Sequence, residues 1–223
     1  MRTPIQGGLL VAVEGIDGGG KSTVASILAQ WCGERGFCCT FSKEPTSLKY
    51  GQQLRESANT GRLSVEDELE LFREDRIEHV KRSIGPALAA NEIVILDRYY
   101  WSTAAYQGSR GVDVRQIIAD NEAVAPVPDL ILLLDVEVRS GIQRIRGRGD
   151  TPNDFEEIQS LENARSIFLQ LHERGDRPSV LIRANRDLRA VCQETLSVFK
   201  RTALKKIAAA GGNCPSSVLE LFA

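Results

Sequence analysis

The segment Gly15-Ile16-Asp17-Gly18-Gly19-Gly20-Lys21-Ser22 follows the pattern G-x-x-x-x-G-K-[ST], and Thr23 comes next. Glycines at Gly15, Gly18, Gly19 and Gly20 let backbone N–H groups turn toward a polyphosphate. The helix expected from Ser22 to about Arg35 adds the positive end of its dipole. Lys21 would reach the outer phosphates and Ser22 would ligate Mg²⁺. The chemistry is therefore binding of a nucleoside triphosphate such as ATP with its magnesium ion. Two features need explaining: Asp17 puts a carboxylate inside a phosphate cradle, and no second basic residue accompanies Lys21 within the loop.

Other residues extend this chemistry. "IVILDR" ends an apolar run in Asp97, and an acid at the carboxyl end of a parallel strand can hold the Mg²⁺ water shell; the plainer alternative is an Asp that caps a turn. Asp135 closes "LILLLD" in the same way, and a structural role is expected for it. Arg98 follows Asp97 directly. Arg55 lies in "GQQLRES", and Arg144, Arg146 and Arg148 alternate in "RIRGRGD" before the polar stretch "GDTPND". Three alternating arginines often mark a solvated helix face. Here they do not share one face, and Gly147 and Gly149 weaken the helix. A mobile basic lid over about 144–154 is the better reading. Arginines aimed at one centre suit transfer to an acceptor that is already an anionic phosphate, where positioning and charge neutralisation carry the catalysis. No N-K-x-D follows a strand, as a guanine-reading switch would need.

Helix 64–88 carries a third constellation. Ser64 and Asp67 suit a capping box, and Val65, Leu69, Phe72, Val80 and Ile84 mark one side. Arg76 shares that face, one turn from Phe72. An aromatic and a planar donor so spaced can stack on a base and bond its edge. On spacing alone, however, Phe72 reads as core and Arg76 as surface.

These residues need a scaffold. Apolar runs at 9–14, 37–42, 93–97, 130–135 and 179–184 read as strands, and helical patterns lie between them. Most of the runs are continuously apolar, as in strands covered on both faces. The fold class is α/β, a parallel sheet with helices on both sides. The length of 223 residues suits one domain, with a tail at 211–223 that has no assigned role. Apolar residues make up 42% and charged residues 26%, the balance of a globular chain. A net charge of −2 gives no bulk attraction to nucleic acid or membrane. No apolar run approaches the ~18 residues of a membrane span, and "MRTPIQGG" is too short and polar for a secretory signal. The cytoplasm is the expected location. Cys32, Cys38, Cys39, Cys192 and Cys214 are odd in number without a C-x-x-C pair, and read as free buried thiols. His79 and His172 are expected on the solvated surface.

Taken in order, "EGIDGGGKST", "KEP", "LFREDR", "DRYYWSTAAYQG", "PDLILLLDV" and "RIRGRGD" resemble the thymidylate kinases over about residues 9 to 205. D-R-Y followed by S-x-x-A-Y-Q is the most specific match. The resemblance implies a P-loop NTPase fold on a five-stranded parallel sheet, an MgATP-dependent kinase making dTDP from dTMP, and a homodimer. It further implies that Asp17 bonds the deoxyribose 3′-hydroxyl. Phe72 would stack on thymine while Arg76 bonds its edge, and Arg98 and Arg55 would hold the acceptor phosphate. Thr103 would face the base and Tyr106 the sugar; Glu44 and Gln107 would complete the pocket. Lys21, Arg98 and the arginines at 144, 146 and 148 would be catalytic, with Ser22 and Asp97 on the metal. A loop without a basic residue resembles the family layout in which the lid supplies arginine.

The chain also departs from that pattern. Thr46-Ser47 replaces a common Gly-Gly after E-P, Glu74 stands where many members have a small residue, and Tyr100 and Trp101 are bulky. These changes bear on base selectivity. A kinase of the same build acting on another deoxynucleoside monophosphate is therefore an open alternative. A regulatory nucleotide switch and a non-catalytic nucleotide-binding module are more distant ones.

Overall fold

Five strands form the frame: β1 (Leu9–Glu14), β2 (Cys39–Lys43), β3 (Ile93–Asp97), β4 (Leu130–Asp135) and β5 (Ser179–Arg183). All neighbouring pairs are parallel, in the order β2-β3-β1-β4-β5. This computed structural model describes residues 4–61, 63–147, 154–209 and 221–222. Every residue of β1 and β3 is buried, because helices cover both faces of the sheet centre. The two edge strands are only half covered, and Phe41 on β2 is 46% exposed. The apolar run 37–42 therefore begins its strand two residues late. Phe37 instead turns into the core and stacks on Trp31 at 6.0 Å between ring centroids.

The helices are α1 (Lys21–Glu34), α2 (Lys49–Thr60), α3 (Val65–His79), α4 (Gly85–Ala89), α5 (Tyr100–Gly108), α6 (Val114–Glu122), α7 (Val138–Arg146), α8 (Asp154–Glu173) and α9 (Leu188–Ala209). Ser64 caps α3 as expected, its Oγ accepting from Asp67 N at 3.0 Å. The single helix read over 64–88 is interrupted by a π-helical stretch, Val80–Ile84. Pro86 at the start of α4 accounts for it: proline has no N–H to donate and its ring crowds the preceding turn, which a widened turn accommodates.

His79 is not on the surface. It is buried, with Nδ1 3.0 Å from Glu44 Oε1 and Nε2 2.8 Å from Ser42 Oγ. An imidazole can bridge two polar groups in the interior, and its surroundings on the other elements were invisible in a charged helical stretch. His172 is half-buried against Ser179 Oγ at 2.8 Å. Of the cysteines, Cys32 is buried, and Cys38, Cys39 and Cys192 are half-buried free thiols. Cys214 lies outside the described residues.

Leu221 and Phe222, in the tail left without a role, pack against the core. Phe222 is 5% exposed. Its ring lies 4.8 Å from Phe37 and 6.0 Å from Trp31, and Arg35 donates to the Leu221 carbonyl at 3.2 Å. Truncating a buried Phe in a rigid core costs about 3–5 kcal/mol. Phe222 packs in part on the half-buried Trp31, so Phe222→Ala is expected to lower stability by about 1–3 kcal/mol. A urea-unfolding midpoint equal to that of the parent would show that this contact contributes nothing.

Candidate active site

The loops after β1 and β3 lie side by side, because Val13 and Asp97 are register partners and Arg98 N donates to the Val13 carbonyl at 3.0 Å. This is the crevice at the carboxyl ends of the strands where open α/β sheets bind ligands. On the β1 side, residues 15–20 form the phosphate loop leading into α1. Gly15 has φ 138°, and a Cβ there would meet the Leu134 carbonyl at 2.4 Å. Gly18 has φ 75°, and its Cβ would meet the Gly141 carbonyl at 2.2 Å. Neither position tolerates a side chain, and the second contact seats α7 directly on the loop. Lys21 is buried, its Nζ donating to the Ile16 carbonyl at 2.7 Å. Burial, then the nearby Arg98 charge, pushes its ammonium down to about 7.

Ser22 Oγ donates to Asp97 Oδ2 at 2.5 Å, so the two residues expected to hold Mg²⁺ are brought together. The other carboxylate oxygen, Asp97 Oδ1, is buried without a hydrogen-bond partner among the described residues. An orphaned anionic oxygen beside a hydroxyl fits a hard cation that takes few protein ligands and keeps several waters. The wider clusters of acids, thiols and imidazoles that hold other metals are missing among the described residues.

Beyond the loop, a cavity of about 320 Å³ opens between α2, α3 and α5. All nine residues assigned to the acceptor line it: Asp17, Glu44, Arg55, Phe72, Arg76, Arg98, Thr103, Tyr106 and Gln107. Arg98 adopts φ 72°, a strained conformation for a residue with a side chain. Its guanidinium pairs with Asp17 Oδ1, donates to Ser102 Oγ at 3.2 Å and lies 5.4 Å above the Tyr106 ring. The Tyr106 hydroxyl donates to Asp17 Oδ2 at 2.9 Å. Burial opposes ionisation of Asp17, but Arg98, Lys21 and Tyr106 outweigh it and hold its carboxyl below the usual range. Arg55 donates to the Pro45 carbonyl at 2.9 Å and to that of Thr46 at 2.5 Å.

The expectation from spacing is reversed on α3. Arg76 is 1% exposed, whereas Phe72 is half-buried at the cavity wall. Arg76 can be buried because Glu44 pairs with it, Nε donating to Oε2 at 3.0 Å. Burial raises the Glu44 carboxyl, but Arg76 and His79 prevail and hold it low. The departures from the family pattern lie outside the cavity. Glu74 pairs with Arg73 at 3.2 Å, and the Thr46 hydroxyl and N–H bond the buried Asp75 at 2.5 and 2.8 Å. Tyr100 and Trp101 point into the core.

On the other side of the loop, Gly18, Gly19, Gly20, Thr23, Arg144, Arg186 and Leu188 line a cleft of about 230 Å³. Arg144 enters it from α7, donating to the Gly18 carbonyl at 3.3 Å and the Ala184 carbonyl at 2.8 Å. Arg146 ends α7 with an exposed side chain. Arg148, like most of the expected lid, lies outside the described residues. Asp135 has the structural role expected of it, gripped by Arg165 Nε at 2.6 Å and Nη2 at 3.0 Å.

Sequence reasoning missed several groups. Arg186 and Leu188 follow β5 with no motif to announce them. Glu68 on α3 accepts from Gln107 Nε2 at 2.8 Å and pairs with Arg110. Glu14 could have been noticed, since it ends an otherwise apolar buried run. It accepts from Tyr99 N at 2.9 Å, Ser102 N at 3.2 Å and Ser102 Oγ at 2.5 Å, and so caps α5 and steadies the serine that Arg98 touches. Burial pushes its carboxyl up to about 7, against these donors and Arg98. The folded chain thus keeps a proton that the unfolded chain releases near 4.5, and stability falls as pH rises between those values. A Glu14→Gln variant should lack this component. Urea midpoints at about pH 5 and about pH 7.5 check it: the parent should lose stability relative to the variant across this range. A constant difference would show that Glu14 titrates alike in both states.

Comparison with known proteins accords with this geometry. The thymidylate kinase family model matches residues 13–195. A thymidylate kinase of Xanthomonas campestris pv. campestris is 53% identical over 169 residues, 76% of this chain and 74% of that one. One of Xanthomonas euvesicatoria pv. vesicatoria is 48% identical over 199 residues, 86% of this chain and 88% of its own. The crystal structure of thymidylate kinase from Ehrlichia chaffeensis superposes with a TM-score of 0.69 at 26% identity, covering 86% of this chain and 98% of that one. By sequence, by fold and by the pairing of a phosphate loop with an arginine-lined cavity, this chain belongs to the thymidylate kinase family.

Proposed function

We propose that the chain transfers the γ-phosphoryl group of ATP to dTMP, yielding ADP and dTDP, with each nucleotide on its own side of the phosphate loop. The observation that carries this reading is the shared loop. Asp17 faces the Arg76 cavity, while Gly18 to Gly20 face the cleft that contains Arg144. ATP places its phosphates on the loop and its nucleoside toward Arg186 and Leu188. The thymine ring lies on Phe72 with its edge at Arg76 and Thr103. Arg98 and Arg55 take the acceptor phosphate, Asp17 the 3′-hydroxyl, and Tyr106 and Gln107 close around the sugar and base. A phosphate oxygen of dTMP forms the new bond to the γ-phosphorus as the bond to the bridging β-phosphate oxygen breaks. The acceptor oxygen is already anionic, so no general base is required. Lys21 and Arg98 neutralise the phosphates, and Arg144, leading the lid at about 144–154, closes over the transferred group. Ser22 and Asp97 would hold Mg²⁺, which when bound neutralises the outer phosphates.

Among the described residues no helix is long and apolar enough to cross a membrane. The family resemblance adds a homodimer in the cytoplasm to this reading; sedimentation at micromolar concentration tests the dimer. The main test is ADP release with MgATP across dTMP, dUMP, dGMP, dCMP and dAMP. dTMP is expected to be the best acceptor. Preference for another base, or hydrolysis without acceptor at the transfer rate, would overturn the assignment.

A further inference from the structure

Arg76 is held by residues from three separate segments. Its Nε donates to Glu44 Oε2 at 3.0 Å, its Nη2 to the same oxygen and to Thr103 Oγ1 at 3.3 Å, and its Nη1 to Asn121 Oδ1. Glu44 is fixed in turn by His79, which reaches back to Ser42 on β2. Asn121 stands on α6, 5% exposed, and does not line the cavity. Its Nδ2 donates to the Ile117 carbonyl at 2.7 Å, which sets the orientation of the amide and leaves Oδ1 facing Arg76.

A guanidinium has five N–H donors in a rigid plane. One on Nε, two on Nη2 and one on Nη1 are engaged, so four of the five are committed. The remaining donor, on Nη1, has no partner among the described residues, and Arg76 borders the cavity. We propose that Asn121 is a specificity-determining positioning residue: it occupies one Nη1 donor, fixes the guanidinium plane, and leaves a single donor to read the base edge. The inference rests on the assignment of this cavity to the acceptor base. A ring carbonyl at that edge accepts from the free N–H. An exocyclic amine at the same place, as in cytosine, sets donor against donor in a buried site, and a site built around one hydrogen bond rejects such a mismatch strongly. Without Asn121 the guanidinium gains a second free donor and can swing on its side chain, which loosens both affinity and discrimination.

The test compares Asn121→Leu, similar in size but without an acceptor, with Asn121→Asp, which keeps an acceptor for Arg76. Steady-state kcat and KM are measured for dTMP and dCMP. Asn121→Leu is expected to raise the dTMP KM about tenfold with kcat within about threefold, and to reduce the preference for dTMP over dCMP at least ~10-fold. Asn121→Asp is expected to keep that preference within about threefold of the parent. Asn121→Ala supplies the same readout should the leucine variant fail to fold. An unchanged preference in the leucine and alanine variants, or equal losses for both substrates in all variants, would make Asn121 a packing residue and overturn the proposal. Arg76→Ala in the same assay separates the two levels. If it too leaves the preference unchanged, the assignment of the base site fails. If it abolishes the preference while Asn121→Leu does not, only the inference about Asn121 fails.

Discussion

Arg144→Ala is expected to lower turnover by at least ~10³ while dTMP affinity changes little; a transfer-stabilising arginine contributes roughly 10³–10⁵ in rate, or about 4–7 kcal/mol of barrier. The reason is positional. The phosphate loop has glycines where a basic residue could stand, and Gly18 packs on Gly141 so closely that α7 is pinned to the loop. Arg144 lies one turn further along α7 and already reaches the Gly18 carbonyl at 3.3 Å. It does not border the Arg76 cavity, so its removal should spare dTMP binding. Steady-state kinetics with single Arg→Ala variants at 144, 146 and 148 check this. Loss confined to 148 would move the role along the chain, and near-normal turnover in all three would remove the lid arginine from the mechanism.

Arg98→Ala is the second large effect, expected to lower kcat/KM for dTMP by about 10²–10⁴. Arg98 lies between the two proposed nucleotide sites: it pairs with Asp17, touches Ser102 and Tyr106, and follows the Mg²⁺-binding candidate Asp97. Its strained backbone, φ 72°, directs the side chain across the mouth of the sheet. Arg98→Lys should recover only part of the activity, because a point charge cannot bridge a phosphate and a carboxylate as a planar fork does. Both variants should raise KM for dTMP more than for ATP. A loss of less than about tenfold in Arg98→Ala would place the acceptor phosphate elsewhere.

Legibility in the sequence followed the range of the interactions. The buried strands β1, β3 and β4 were read to the residue, since two covered faces leave an uninterrupted apolar run. The edge strands were less sharp because most of their residues are partly exposed. The phosphate loop was readable because its function lies in consecutive residues. The Ser22–Asp97 pair followed from strand position, although 75 residues separate its members. The network around Arg76 was not readable. It joins Arg76 and His79 on α3 to Glu44, Thr103 and Asn121 on three other segments, and no local spacing announces a buried arginine. The same limit made His79 read as a surface residue. Family resemblance supplied the roles proposed for Phe72 and Arg76, whose spacing alone favoured the opposite burial.

One phosphate loop is proposed to separate two nucleotides, with the acceptor base between Phe72 and Arg76. A crystal structure of the chain with dTMP and a non-hydrolysable ATP analogue tests it most directly. The thymine ring is expected on Phe72, a ring carbonyl within hydrogen-bond distance of Arg76 Nη1, the dTMP phosphate on Arg98, and the analogue's phosphates on Gly18 to Ser22. A dTMP molecule found only in the cleft beside Arg186 and Leu188, with the Arg76 cavity empty, would contradict it.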